Sequence, residues 1–159
     1  MAVWMKLLHV LAAFWFIGGF MGRSIAMSYA GRLTDVKMVA LLAQMGQIFD
    51  KWMVIPGSLV VFGLGLITAW LQHWTLVGSS PAYWLLFSTV LYLSIFPLIP
   101  LVFIPRGKIF RAALDDAQTQ GQVTTALKAA FQDRAVHLIH VYEYVTTVVI
   151  IVLMVTKPF

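Results

Sequence analysis

Polar and apolar positions along the chain fall into long blocks rather than short alternations. Four charge-poor apolar runs stand out, at residues 7–22, 52–72, 82–105 and 136–156, the first reaching back to Trp4 at its edge. Each has the length of a transmembrane helix, which takes about 20 apolar residues to cross about 30 Å of hydrocarbon. The first three hold no Asp, Glu, Lys or Arg, and the fourth holds only Glu143. Trp4, Trp52, Trp70, Trp74, Tyr83 and Trp84 mark run edges, where an amphipathic ring sits between lipid and water. The pattern predicts an all-α, polytopic membrane four-helix bundle, with residues 1–159 forming a single transmembrane domain.

The connections carry their own periodicity. Val36, Val39, Leu42, Met45 and Phe49 recur at spacings of three and four, opposite Lys37, Gln44 and Gln47, which predicts an amphipathic helix. Residues 108–135 read likewise, with Gly121 as the break between two short helices. These segments either lie on the inner membrane surface or lengthen the second and fourth spans. A secretory leader is the competing reading of the N-terminus, with Ser28-Tyr29-Ala30 as a small-x-small cleavage site. Only Lys6 precedes the run, Arg23 follows it at once, and the run is long for a leader core, so a retained span is expected.

Composition agrees and then narrows the chemistry. With 159 residues, 61% hydrophobic, 11% charged and a mean hydropathy of +0.89, the chain departs from soluble domains, where about a quarter of residues are charged. A net charge of +5 takes its meaning from position. Arg23, Arg32, Lys37 and Lys51 fall in the first connection; Arg106, Lys108, Arg111, Lys128 and Arg134 fall in the third; residues 72–81 have none. By the positive-inside rule the first and third connections are cytoplasmic and both termini lie outside. No nucleic acid is expected, because the charges are not interleaved with exposed aromatics. The absence of cysteine excludes disulfides, thiolate zinc, iron–sulfur clusters and covalent haem c. With no Asn, no phosphate loop and no nucleophile elbow, the chain is not expected to be an enzyme on its own.

Within the runs, Gly18, Gly22 and Ala26, and Gly57, Gly65 and Ala69, form small-residue series suited to close helix packing. Pro56 falls in the first turn of the second span, where its missing N–H is harmless; Pro97 and Pro100 fall inside the third and should kink or break it, opening space beside residues 94–100.

Ionisable side chains in hydrocarbon are costly and draw functional hypotheses. His9 reads either as an axial ligand to a b-type haem or as an imidazole bonded to a neighbouring helix carbonyl. Lys6, one turn earlier, either snorkels outward or faces a haem propionate. His137, His140 and Glu143 follow at three-residue spacing, with Tyr144 four beyond His140, so they line one flank of the last helix. They are candidates for a transition metal or a proton relay; His137 also reads as a solvated residue near the interface, and His140 and Glu143 as an internal hydrogen-bonded pair with another helix. His9 and His140 lie in opposite leaflets, about 15 Å apart in depth, so they cannot share one iron. A bis-histidine haem would pair His9 with His73, which also reads as an interfacial residue between Trp70 and Trp74.

The opening Trp4-Met5-Lys6-Leu7-Leu8-His9-Val10-Leu11-Ala12, continuing Phe14-Trp15-Phe16-Ile17-Gly18-Gly19, resembles the first helix of a group of small bacterial membrane proteins. That group includes the DUF2269 family of predicted integral membrane proteins, the CopD-type copper-resistance domains and the HemJ protoporphyrinogen oxidases. Val54-Ile55-Pro56-Gly57-Ser58, Gly63-Leu64-Gly65 and the terminal Leu153-Met154-Val155-Thr156-Lys157-Pro158 are most similar to DUF2269, and the resemblance covers essentially the whole chain. It implies a four-helix membrane architecture in a bacterial inner membrane and leaves the activity open. The HemJ resemblance implies a role for a first-helix histidine, matched by His9, and for an intramembrane lysine. This chain has no lysine in its second, third or fourth helix core, which counts against porphyrinogen oxidation. The CopD resemblance implies copper handling, but Met5, Met21, Met27, Met45, Met53 and Met154 are scattered.

The leading expectation is therefore a haem b or related redox-metal protein, ligated through His9 with His73 and Lys6 nearby, acting in electron transfer or haem handling. Two others stand beside it: a cofactor-free subunit packed in a larger membrane complex or homo-oligomer, and a proton or metal carrier using His137, His140 and Glu143.

Overall fold

The computed structural model describes residues 2–76 and 82–158. Every regular element among them is helical. Helix α1 spans Ala2–Ala30, α2 Val36–Phe49 and α3 Ile55–Leu71, with a π-helical segment, Asp50–Val54, fusing α2 to α3; α4 follows at Tyr83–Leu93, then a second π segment at Ile99–Phe103, then α5 at Ile104–Gln120, α6 at Thr125–Phe131 and α7 at Arg134–Thr156. Part of the expected second connection, residues 77–81, lies outside the described residues.

Three helical segments are long and apolar enough to cross a membrane: Ala2–Ala30, Val36–Leu71 and Thr125–Thr156. The first connection is thus helical and continuous with the apolar helix that follows it. Residues 82–105 do not make a continuous helix. Helix α4 has 11 residues, after which the backbone tightens: Ile95, Phe96 and Leu98 donate to carbonyls three residues back. Pro97 and Pro100 remove two donors and their rings crowd the preceding turn, so the helix breaks as their positions predict. At Gly121 the chain takes φ 70°, a left-handed conformation that glycine adopts without steric cost, and this ends α5.

Both π segments share one cause. Each is followed by an Ile-Pro pair, Ile55-Pro56 and Ile104-Pro105, and in each the isoleucine N–H donates five residues back, to Asp50 or to Ile99. The proline cannot donate to the carbonyl four before it; widening the turn lets the ladder continue past the gap. Pro56 is therefore not at a free helix start, as its sequence position suggests. It is tolerated because the turn before it is π-helical.

The chain divides into two compact units, Met1–Trp74 with Gln120–Val123, and Thr75–Thr119 with Thr124–Phe159. In the first, α1 packs antiparallel on the fused α2–α3 arm. Positions 5, 9, 12, 16, 19, 23, 26 and 30 of α1 are buried or half-buried, alternating spacings of four and three as a heptad seam does. Met27 meets Gly46, Gly22 meets Phe49, Gly19 meets Met53, Phe16 meets Gly57 and His9 meets Gly65. A Cβ on Gly19 would collide with the Met53 Cβ. The small residues at the contact are thus Ala12, Gly19, Gly22, Ala26 and Ala30, with Gly18 beside rather than on it.

In the second unit, α7 runs antiparallel to the broken segment from α4 into α5. Lys157 lies over the Trp84 ring, Tyr142 shares a hydroxyl hydrogen bond with Ser94, His140 stacks on Phe103, Asp133 pairs with Arg106, and Phe131 meets Phe110 edge-on. Asp133 also caps α7, its Oδ1 accepting from the Ala135 and Val136 amides.

Candidate functional site

The polar side chains that sit within apolar helices resolve into two places, one in each unit. In the first, His9 Nδ1 lies 2.9 Å from the Val61 carbonyl oxygen. A carbonyl only accepts, so Nδ1 carries the proton and, in the neutral ring, Nε2 keeps its lone pair. The ring fits because residue 65 is glycine: a Cβ there would stand 3.1 Å from His9 Cε1. This is the carbonyl-bonded imidazole that the sequence left open.

Val61, Gly65, Thr68 and Gln72 are spaced four, three and four, so they share a face of α3. Thr68 Oγ1 and Gln72 Nε2 are buried there without a hydrogen-bond partner. Sequence reasoning missed both; the signal was their register with the two residues that touch His9.

Lys6 is exposed on α1. His73 is exposed too, one residue past the cap of α3, in a left-handed conformation at φ 57°. It stands eight residues beyond Gly65, about 12 Å along the axis, which separates it from His9 by about two turns. These residues do not fit the expected bis-histidine haem. Of the three, His9 is the one whose ring is shown bonded to another helix, through the Val61 carbonyl on Nδ1.

In the second unit, His140 Nδ1 lies 2.9 Å from Glu143 Oε2, and Glu143 is buried at 9% exposure. The spacing of three on α7 brings the two side chains to one flank. Phe103 covers the imidazole with ring centroids 5.3 Å apart, and Glu143 and Thr146 are the buried residues of α7. Beside them, Ser94 and Tyr142 link α4 to α7, Ser94 also donating to the Leu91 carbonyl, so the broken end of α4 has a hydroxyl partner where its ladder stops.

His137 does not join this pair. It lines a surface hollow with Phe131, Gln132, Arg134 and Leu138. Among the described residues no group of three or more His, Asp or Glu side chains is arranged to hold a metal ion. The expected set His137, His140 and Glu143 therefore divides into one bonded pair and one residue facing a different hollow.

The model of one protein family, described as a predicted integral membrane protein (DUF2269), matches residues 3–158. No curated protein and no solved structure matches the chain.

Proposed function

Because the chain belongs to this family of integral membrane proteins, we propose that it crosses a bacterial inner membrane four times, both termini outside, and passes protons through the His140–Glu143 pair. The count of four takes the three long apolar helices together with residues 82–105, which have the composition of a span and the reach of about 36 Å at helical rise despite their break. The orientation rests on the crowding of Lys and Arg into the first and third connections.

One observation carries the proton reading: the single carboxylate among the apolar runs is buried and bonded to an imidazole three residues away. A charged group held in hydrocarbon is costly, and where one persists with a titratable partner the pair supplies a place for a proton to rest and transfer. The proton moves between Glu143 Oε2 and His140 Nδ1, neither bond requiring a cofactor. Purified protein in vesicles with an entrapped pH-sensitive dye tests it. An imposed potential should drive acidification in the native chain, and Glu143→Gln should abolish it; equal flux in both removes the reading.

His9 favours a second reading, a haem b or metal held by this one imidazole, with the protein acting in electron transfer or haem handling. The observation is the Val61 carbonyl on Nδ1, which leaves Nε2 for a ligand; bound iron would supply one-electron chemistry. A Soret band in the detergent-purified chain that is lost in His9→Ala supports it, and a colourless protein after growth with haem precursor rejects it.

A further inference from the structure

We propose that the hollow where α6 meets α7 binds the phosphodiester headgroup of an anionic phospholipid. Its lining is Phe131, Gln132, Arg134, His137 and Leu138. Arg134 and His137 are three residues apart, on one flank of the first turn of α7, and both are exposed. The neighbouring carboxylate is committed elsewhere: Asp133 Oδ2 takes Arg106 Nη1 at 2.8 Å, and Oδ1 caps the α7 amides. The Arg134 guanidinium is thus left facing outward, and its planar fork matches two oxygens of a phosphate. His137 adds a ring N–H in either tautomer, and Gln132 an amide donor. Phe131 and Leu138 form apolar flanks suited to the glycerol and the first methylenes of an acyl chain.

Depth points to lipid rather than to a soluble anion. Arg134 is followed by a run, residues 135–156, whose only formal charge is Glu143, so it stands where hydrocarbon gives way to headgroups. Basic hollows at that level are suited to anionic lipid headgroups. The inference does not depend on proton transfer at Glu143.

The test uses the full chain in mild detergent, titrated with phosphatidylglycerol, phosphatidylcholine or inorganic phosphate, with bound lipid counted by native mass spectrometry. Phosphatidylglycerol should be retained over phosphatidylcholine, and Arg134→Gln should weaken that retention about tenfold, the size of one charge-assisted hydrogen bond. Lys108→Gln removes the same charge from exposed α5, outside the hollow, and should change retention by less than about twofold. Equal retention of the two lipids, or equal loss in the two variants, overturns headgroup recognition. Displacement of the lipid by inorganic phosphate overturns the lipid as the source of the anion. Both substituted residues are exposed, and the melting temperature of each variant checks that it remains folded.

Discussion

Arg23 reaches across the first hairpin to Asp50, Nη1 to Oδ1 at 3.1 Å, one turn from the place where Gly19 seats on Met53. The guanidinium also lies 4.9 Å from the centre of the Phe20 ring. With side chains 13% and 39% exposed, the pair sits between a surface bridge and a buried one. Breaking it by Asp50→Asn or Arg23→Gln should cost about 1–2 kcal/mol. The charge swap Arg23→Asp with Asp50→Arg should recover most of that loss. Unfolding in mixed micelles followed by circular dichroism measures it, and because the swap leaves the connection's charge unchanged, orientation does not confound the result.

The glycines of the same seam should respond unequally. Gly19→Ala forces a methyl against the Met53 Cβ and backbone, and overpacking a tight helix contact should cost about 1–3 kcal/mol. Gly63→Ala meets nothing within 4 Å and should be neutral or stabilising by up to about 1 kcal/mol, the helix-propensity gain of alanine over glycine. Equal losses in the two would mean that the seam does not run through Gly19.

How far these positions could be read in the sequence depended on what each side chain needs. Apolar helices were legible because hydrocarbon demands about 20 apolar residues whatever the packing, although the helical segments Ala2–Ala30, Val36–Leu71 and Thr125–Thr156 outrun the apolar runs; the break near Pro97 was legible because a proline withholds its donor in any context. The seam was legible only to within a residue: of the expected Gly18, Gly22 and Ala26, the last two pack at the contact, whereas the adjacent Gly19 takes the place expected of Gly18. His9 announced itself as a polar residue in an apolar run, but its acceptor is a backbone carbonyl, which has no sequence signature. The spacing of His140 and Glu143 put them on one flank, but a bond with another helix was the expected pairing and the structure bonds them to each other; His137, at the same spacing, lies nearer the helix start and lines a different hollow. The π segments were invisible, since Ile-Pro marks a wide turn only when the helix on both sides is continuous.

That last point gives a prediction for Pro56. Pro56→Ala restores an amide able to reach the carbonyl four residues back, so the Asp50–Val54 turn should relax from π to α and rotate α2 by about 100° relative to α3 within the fused arm. Arg23 and Asp50 would lose their alignment with respect to His9 and Val61. Double-mutant coupling between Arg23 and Asp50, or between His9 and Gly65 probed by Gly65→Ala, should then collapse in the Pro56→Ala background. Persistence of both couplings would show that the π turn is fixed by tertiary packing rather than by the proline.

The His140–Glu143 pair permits a sharper separation of stability from function. Taking a carboxylate out of water is costly, and its bond to an imidazole offsets that cost only in part, so a well-packed apolar pair of similar volume is often as stable or more so. Glu143→Leu alone removes the partner of His140, and His140→Phe alone leaves Glu143 buried without its imidazole. Each single change should therefore destabilise the second hairpin, by about 1–3 kcal/mol given that the His140 side chain is 33% exposed. The double variant His140→Phe with Glu143→Leu should be at least as stable as the native chain in the same micelle, and more stable than either single variant. It should nevertheless carry no protons in the vesicle assay. A double variant that unfolds would make the pair a structural clasp, and one that still conducts would move the proton path away from α7 altogether. A double variant that keeps its stability and loses proton flux would favour proton movement over folding as the role of the pair.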